Sequence, residues 1–286
     1  MTFWTDLANT PYRIDWIEAN GLRTRFLEAG AHHQDTVLFL HGVAGHLETF
    51  VRNVAAHAQH FRVLAMDMIG HGYSAKPAHD YELHHYVAHV IGLLDALGVA
   101  RTHLIGTSLG GWTAARVAAQ HPGRVGRLVL ASTAGLTASP AVMNSIRTLS
   151  TDAALANTKE AVRKRLEWVI HDPAQVSDDL LEARWRIYNQ PEYQAVIRHL
   201  MCLQDPAIRQ RNLLSQAELG RITAPTLVVW TGHDPTGDAA TGQRYARAIP
   251  GARFEMFEDS SHMPQFEEPE RFNALVTRFL RGKAAD

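Results

Sequence analysis

Thr102–Gly111 reads THLIGTSLGG, and this stretch decides how the rest of the chain is interpreted. A short apolar run, THLIG, leads directly into Gly106-Thr107-Ser108-Leu109-Gly110 and then into a helical pattern. Glycine two residues either side of the serine permits a turn so tight that a Cβ there would collide with neighbouring backbone. The pattern predicts a strand, a sharp turn and a helix, with the Ser108 hydroxyl exposed at the helix N-terminus as a candidate nucleophile.

Short apolar runs alternate with helical patterns around this turn. Nearly continuous apolar runs are typical of parallel strands buried on both faces, so the alternation predicts a doubly wound α/β sheet. Asn20-Gly21 joins two runs of period-two alternation, which predicts a β-hairpin. The predicted strands are Tyr12–Ala19, Leu22–Glu28, Thr36–Leu40, Phe61–Met66, Thr102–Gly106 and Leu128–Ala131, and the predicted helices are Thr49–Gln59, Tyr86–Leu97 and Leu109–Gln120.

The alternation stops near Ala134 and resumes after residue 219. Between Leu136 and Leu219 the sequence has no strand candidate, only helical periodicity broken by prolines. The chain of 286 residues is long for one domain and short for two at roughly 150 residues per domain. We therefore predict one α/β core, residues 1–135 and 220–286, interrupted by a helical lid over 136–219. The later core elements are predicted at Pro225–Thr231, Gly242–Ala248, Arg253–Phe257 and Glu268–Arg281.

A serine nucleophile needs a base to take its proton and an acid to orient that base. Asp234 follows the apolar strand TLVVWT, and His262 follows the strand RFEMF. Open α/β sheets place their sites at the carboxyl ends of strands. The order Ser, Asp, His along the chain is typical of folds in which a serine nucleophile occupies a sharp strand–turn–helix. We predict Ser108, Asp234 and His262 as a catalytic triad.

Three neighbouring residues compete for these two roles. Asp238 is close to Asp234 but is predicted to lie inside the following helix. Asp259 precedes His262 by three residues and is interpreted as a local turn residue. His233 adjoins Asp234 and is interpreted as a solvent-facing loop residue.

Negative charge that develops on a substrate oxygen needs preorganised N–H donors. One predicted donor is the amide of Leu109, directly after the nucleophile at the helix start. The other is the amide of Val43, in the loop His41-Gly42-Val43-Ala44-Gly45 after TVLFL. In this arrangement His41 supports the loop and takes no part in the chemistry.

Composition excludes several other classes of protein. Twenty-eight Lys+Arg against 29 Asp+Glu give a net charge of −1, which argues against a nucleic-acid-binding surface. No apolar run approaches the roughly 20 residues that span a bilayer. The single cysteine, Cys202, excludes an intrachain disulfide and is interpreted as a buried structural thiol. No signal peptide is evident, so a cytoplasmic location and no membrane association are expected.

Seventeen histidines raise the question of a metal. His85 and His89 have the i, i+4 spacing of some zinc helices, but Tyr86 stands where the H-E-x-x-H motif needs glutamate. No metal site is predicted, and most of the histidines, His57 and His60 included, are interpreted as surface residues.

The chain resembles the α/β-hydrolase superfamily over essentially its whole length. The motifs that carry this resemblance are His41-Gly42, Gly70-His71-Gly72-Tyr73-Ser74, GTSLGG and Ser261-His262. More closely, it resembles the meta-cleavage product hydrolases, which split carbon–carbon bonds in 2-hydroxy-6-oxo-hexa-2,4-dienoates from bacterial degradation of aromatic compounds. The matching pieces are Arg52-Asn53, Ala65–Gly70, Glu182-Ala183-Arg184-Trp185 and Phe266-Glu267.

This resemblance implies roles for four more residues. In the family an Asn and a lid Arg contact the 2-oxo and carboxylate end of the substrate, and here they correspond to Asn53 and Arg184. The planar fork of arginine can grip a carboxylate with two hydrogen bonds. Two substrate-facing positions depart from the family pattern, because Thr107 replaces the Asn before the nucleophile and Met263 replaces the Trp after the catalytic His.

The resemblance implies a small-molecule substrate, no cofactor, and a homodimer or larger assembly. A carboxylic-ester hydrolase with the same triad is the alternative enzyme. A non-catalytic small-molecule receptor is the alternative of a different class.

Overall fold

The computed structural model describes residues 3–136 and 139–282. Its centre is an eight-stranded sheet with the strand order β1-β2-β4-β3-β5-β6-β7-β8. The pairs β1–β2 and β2–β4 are antiparallel and the remaining five pairs are parallel. The strands are β1 Tyr12–Ala19, β2 Leu22–Ala29, β3 Thr36–Leu40, β4 Arg62–Met66, β5 Thr102–Thr107, β6 Val125–Ala131, β7 Thr226–Thr231 and β8 Arg253–Phe257.

Twelve α-helices surround and extend this sheet in the described ranges. They are α1 Val51–Ala58, α2 Leu83–Ala96, α3 Leu109–Gln120, α4 Pro140–Leu155, α5 Lys159–Glu167, α6 Asp178–Tyr188, α7 Pro191–Leu200, α8 Pro206–Asn212, α9 Gln216–Leu219, α10 Ala239–Ala248, α11 Pro264–Glu267 and α12 Pro269–Leu280. Short 3₁₀ turns link several of them, among them Leu47–Phe50 before α1.

The α/β-hydrolase fold predicted from the sequence is confirmed, with modest shifts of element ends. Asn20 and Gly21 both have positive φ, 52° and 72°, as the two central residues of a type I′ hairpin require. The strand expected at Leu128 begins instead at Val125, because Val125 already pairs with Thr102 of β5. The helix expected at Tyr86 begins three residues earlier, at Leu83.

The core of the sheet is fully buried, and this fixes where the functional loops emerge. All five residues of β3 and all six of β7 are buried, as expected of parallel strands covered by helices on both faces. The carboxyl ends of β3, β5, β7 and β8 lie at one edge of the sheet. The loops that carry Val43, Ser108, Asp234 and His262 leave the sheet at this edge.

Helices α4–α9 occupy the stretch between β6 and β7 for which a lid was predicted, and its described residues include no strand. We call this stretch the lid segment. Its helices bury apolar residues of their own, and Tyr188 stacks on Tyr193 with ring centroids 4.9 Å apart. Across the described residues, we find no helix with both the length and the apolar character needed to cross a bilayer.

Candidate active site

Ser108 occupies a strained turn between β5 and α3. Its φ of 55° and ψ of −115° lie in a region that L-residues rarely adopt. The turn is possible because a Cβ on Gly106 would collide with the carbonyl of Gly110, and a Cβ on Gly110 would collide with that of Leu40. The side chain of Ser108 is thereby held at the carboxyl edge of the sheet, where it lines a cavity.

Asp234 and His262 form a hydrogen-bonded pair beside this serine. His262 Nδ1 lies 2.9 Å from Asp234 Oδ1, and the Asp234 side chain is fully buried. The backbone N–H and the hydroxyl of Thr236 donate to the same oxygen at 2.8 and 2.7 Å. Burial alone would raise the pKa of Asp234, but the charge of His262 and the hydrogen bonds from His262 and Thr236 leave this pKa below its ordinary value. The carboxylate can therefore orient the imidazole.

The competing residues lie elsewhere. Asp238 precedes α10 as its N-cap, with its carboxylate accepting from the backbone and hydroxyl of Thr241, so its predicted position inside that helix was wrong by one residue. Asp259 and His233 are exposed. Neither takes part in a hydrogen bond to His262 among the described residues.

The loop after β3 packs directly against Ser108. A Cβ on Gly42 would lie 3.2 Å from the Cβ of Ser108. A turn closed by the Gly45 N–H on the Gly42 carbonyl, at 3.0 Å, places Ala44 at a positive φ of 57°. Among the described residues the amides of Val43 and Leu109 donate to no other group, so both are available to an oxyanion.

His41 holds this loop in place. Its Nε2 accepts from the Met68 N–H at 3.0 Å, so its Nδ1 carries the proton and donates to the Gly42 carbonyl at 2.8 Å. Burial lowers the pKa of His41 well below its ordinary value, which keeps the imidazole neutral. These contacts are those of a loop support.

Two enclosed cavities meet at Ser108, and we name them by their linings. The polar cavity is lined by His262, Thr107, Met263 and the lid residues Arg165 and Arg184. The apolar cavity takes its name from Trp112, Leu136, Val142, Met143 and Leu203, and its lining also includes Gln204 and Arg209. Each measures about 40 Å³, enough for a few water molecules. A larger ligand therefore requires the lid segment or its side chains to move.

Arg184 lines the polar cavity, and its contact with a substrate carboxylate stays a prediction. The side chain is 4% exposed, and its Nε lies 3.4 Å from His46 Nε2. The other ring nitrogen of His46 bonds Glu48 at 2.9 Å, so the imidazole presents an acceptor to the guanidinium. Thr107 and Met263 also line this cavity, and the Thr107 hydroxyl is buried without a partner among the described residues.

Asn53 does not line either cavity, which corrects its predicted contact with substrate. It is fully buried, and its Nδ2 donates to the Gln265 carbonyl at 2.8 Å and to Asn273 Oδ1 at 2.9 Å. The face of α1 that carries it packs against α11 and α12, and Gln265 stands between Asn53 and the polar cavity that it lines. From the same segment, Thr49 is the residue that lines the polar cavity.

Sequence reasoning missed Arg165 and the structural role of Glu267. Arg165 lines the polar cavity from α5. Glu267 accepts backbone N–H groups from Ser261 and Met263, which flank His262, and from His171 of the lid segment, at 2.7–3.0 Å. A buried glutamate after Phe266 was visible in the sequence as part of a motif, but its three backbone partners were not.

Eleven of the 17 histidines are exposed or partly exposed, as expected, but His57 is fully buried, so its predicted place at the surface was wrong. Six of the 17 are buried, because each packs in the core or against the site with at least one polar partner: His41, His46, His57, His71, His89 and His262. Burial lowers the pKa of His57 to about 4 and those of His71 and His89 to about 3. No group of three or more His, Cys, Asp or Glu suited to a metal occurs in the described part of the chain.

Comparison with known proteins identifies the family of the chain. Residues 35–269 match the family described as the α/β hydrolase fold. The chain is 31% identical over 256 residues to 2-hydroxy-6-oxo-6-phenylhexa-2,4-dienoate hydrolase of Comamonas testosteroni, covering 86% of this chain and 88% of that protein. It is 33% identical over 264 residues to the dihydrolipoyllysine-residue acetyltransferase component of the acetoin cleaving system of Pseudomonas putida, covering 92% of this chain and 68% of that protein.

Solved structures extend the comparison to three dimensions. The structure of the meta-cleavage product hydrolase from Pseudomonas fluorescens IP01 superposes with a TM-score of 0.83 at 25% identity, covering 94% of this chain and 97% of that chain. The chain therefore belongs to the α/β-hydrolase fold family, and its relatives include meta-cleavage product hydrolases.

Proposed function

We propose that the protein is a serine-type hydrolase that cleaves a carbon–carbon bond in 2-hydroxy-6-oxo-hexa-2,4-dienoate-type ring-fission products. Similarity to a dienoate hydrolase over 86% of the chain supports the reaction class. The observation that carries the proposal is the polar cavity, where Ser108 and His262 face the guanidinium of Arg184. A nucleophile and a carboxylate-binding group thus share one enclosed space.

Cleavage of a bond between carbons needs a leaving carbon that can hold an electron pair. In the proposed first step His262 shuttles a proton from the 2-hydroxyl group to C5, which converts the dienol to its keto tautomer. Arg184 holds the carboxylate through charge-assisted hydrogen bonds during this step. The C5–C6 bond then lies between the C6 ketone and a chain conjugated to the 2-oxo group.

In the second step Ser108 Oγ, or a water molecule activated at the same position, attacks the C6 carbonyl. The amides of Val43 and Leu109 donate to the oxyanion, and Asp234 stabilises the imidazolium that forms on His262. When the C5–C6 bond breaks, its electron pair moves into the conjugated 2-oxo system, and a proton completes 2-hydroxypenta-2,4-dienoate. The C6 fragment leaves as a carboxylic acid after hydrolysis.

The apolar cavity is the proposed site for the C6 substituent. Trp112, Met143 and Leu203 offer an apolar surface on the side of Ser108 away from His262 and Arg184. An apolar substituent gains free energy when it leaves water for such a surface. These three side chains favour an aryl or alkyl substituent, and Gln204 and Arg209 in the same lining can accommodate a polar group on it.

A carboxylic-ester hydrolase remains the second candidate. The observation that favours it is the loss of two N–H donors at substrate-facing positions, where Thr107 and Met263 line the polar cavity. An ester needs the triad and the oxyanion amides but no group for a dienoate head.

Parallel assays with 2-hydroxy-6-oxo-6-phenylhexa-2,4-dienoate and p-nitrophenyl butyrate test the proposal. We expect fast loss of the visible absorbance of the dienolate, slow release of p-nitrophenol, and loss of both activities by about 10³-fold or more in Ser108→Ala. Fast ester hydrolysis with slow dienoate turnover would favour the ester hydrolase. Binding of the dienoate without turnover by the unaltered protein would favour a receptor.

A further inference from the structure

Arg165 is a buried charge that the proposed mechanism does not use. It lies on α5 of the lid segment, is 4% exposed and lines the polar cavity together with Arg184 of α6. Its Nε donates to the Ser150 hydroxyl at 3.2 Å, and its guanidinium lies 5.1 Å from the ring of Trp168. Its Nη1 is buried and has no hydrogen-bond partner among the described residues.

Neither guanidinium of the polar cavity has a carboxylate within ion-pair distance in the described ranges. Arg184 contacts a neutral imidazole, and Arg165 contacts a hydroxyl and an aromatic ring. The nearby carboxylate Glu48 is already paired with Arg25 at 2.5 Å. A buried cation without a carboxylate partner is unfavourable. Two such cations around one cavity therefore favour the binding of an anionic ligand.

Two side chains on the core side of the polar cavity carry no N–H donor. They are Thr107 and Met263, and both line the same cavity as Arg165. A guanidinium offers five N–H donors in a fixed plane. Arg165 therefore adds N–H donors on the lid side of the cavity.

We propose that Arg165 is a substrate-binding residue that determines specificity, and that with Arg184 it forms a two-guanidinium subsite for a 2-oxo- or 2-hydroxy-carboxylate head. In this subsite one guanidinium binds the carboxylate and the other binds the vicinal oxygen. The assignment of the head group rests on the proposed function, whereas the presence of a two-arginine anion site is independent of it.

The charge states agree with this assignment. Burial lowers the pKa of Arg165 to about 10, and the side chain remains a cation at neutral pH. Two cations around one small cavity repel each other, and an anion with two adjacent oxygen groups relieves that repulsion. A neutral ester gains nothing from the second cation.

Binding of oxalate, a planar dianion with vicinal oxygens, tests the subsite without turnover. Isothermal titration is carried out on the intact protein, on Arg165→Met, on Arg165→Lys and on the control Lys164→Met, which removes an exposed charge from the same helix. We expect Arg165→Met to weaken oxalate binding by about tenfold or more. Arg165→Lys should weaken it less, and Lys164→Met should leave it unchanged.

Two further readouts separate binding from a structural role. Arg165→Met should raise KM for the dienoate and change p-nitrophenyl butyrate hydrolysis by less than about threefold. The melting temperature should stay level or rise, because the substitution removes an unpaired buried charge. If the melting temperature falls and both activities fall together, Arg165 is a structural residue and the proposal is wrong.

The outcomes also separate this proposal from the function. If the protein binds oxalate through Arg165 and yet fails to cleave the dienoate, that result would support the anion subsite and reject the proposed carbon–carbon cleavage. The subsite would be rejected if the intact protein cleaves the dienoate but does not bind oxalate. It would also be rejected if Arg165→Met leaves oxalate binding unaffected. Either result would leave the proposed carbon–carbon cleavage standing.

Discussion

The core loops and the lid segment line the same cavity but are built in different ways. Ser108, Asp234 and His262 follow strands whose backbone is fixed by the sheet, and their positions depend on turn geometry. Arg165 and Arg184 come from helices α5 and α6, and their positions depend on side-chain contacts such as those with Ser150 and His46. In the proposed function the core supplies the chemistry and the lid segment selects the substrate.

Substitution of Asp234 tests the core side and should have the largest effect. Asp234→Asn keeps the size of the side chain but favours the wrong tautomer of His262, so kcat should fall by about 10³- to 10⁴-fold with dienoate and ester alike. Asp238→Asn, which alters the N-cap of α10 in the same loop, is the matched control and should stay near the unaltered rate. A small effect of Asp234→Asn would remove the acid from the proposed triad.

Substitution of Arg184 tests the lid side. Arg184→Met should lower kcat/KM for the dienoate by about 100-fold, mostly through KM, because a charge-assisted pair with the carboxylate is lost. Ester hydrolysis should change by less than about threefold. The control is Arg186→Met, on the same helix with its side chain in solvent. Equal losses for both substrates would contradict a division between chemistry and recognition.

Glu267 connects the two regions, so its substitution should affect both. In Glu267→Gln an amide replaces an acceptor oxygen that faces backbone N–H groups of the His262 loop and of His171. We expect the free energy of unfolding to fall by about 2 kcal/mol. Urea denaturation measures this change, with the exposed Glu270→Gln as control. An unchanged unfolding curve would mean that this contact does not hold the lid segment to the core.

The buried neutral histidines belong to the core, which should therefore be the acid-sensitive region. The pKa of His57 is about 4 in the folded protein and near 6.5 when unfolded, so the unfolded chain binds the extra proton between these values. Stability should be complete above pH 6.5 and should fall as the pH decreases toward 4.

Replacement of His57 tests the sign of this effect. When the pH is lowered from 6.5 to 5, the free energy of unfolding should fall by about 2 kcal/mol less in His57→Leu than in the unaltered protein. Urea titrations at the two pH values measure the difference, and replacement of the exposed His84 by Gln is the control. The same pH dependence in His57→Leu and the unaltered protein would contradict a neutral buried His57.

The sequence predicted the core better than the lid, for a physical reason. Strand–helix alternation and the glycines around Ser108 are local signals, and they located the sheet, the elbow and the loops of Asp234 and His262. Arg165 lies between lysine and leucine in a helix rich in charges, a pattern typical of a solvated face. Only the packing of α5 against the rest of the lid segment turns it inward.

The predictions for Asn53 and His57 failed for a related reason. The motif match implied a role for Asn53 but could not show which way its side chain points from α1. In the structure it points toward Gln265 and Asn273. Histidine is intermediate in its preference for burial, so its surroundings cannot be read from composition. His57 and His89 lie on helix faces that pack inward.

The most direct test of the account is a crystal structure of Ser108→Ala with 2-hydroxy-6-oxo-6-phenylhexa-2,4-dienoate bound. We expect the C6 carbonyl beside position 108, with its oxygen on the amides of Val43 and Leu109. The carboxylate should lie on Arg184, with Arg165 at the vicinal oxygen. The phenyl group should fill the apolar cavity. A carboxylate located in the apolar cavity, or distant from both arginines, would contradict the account.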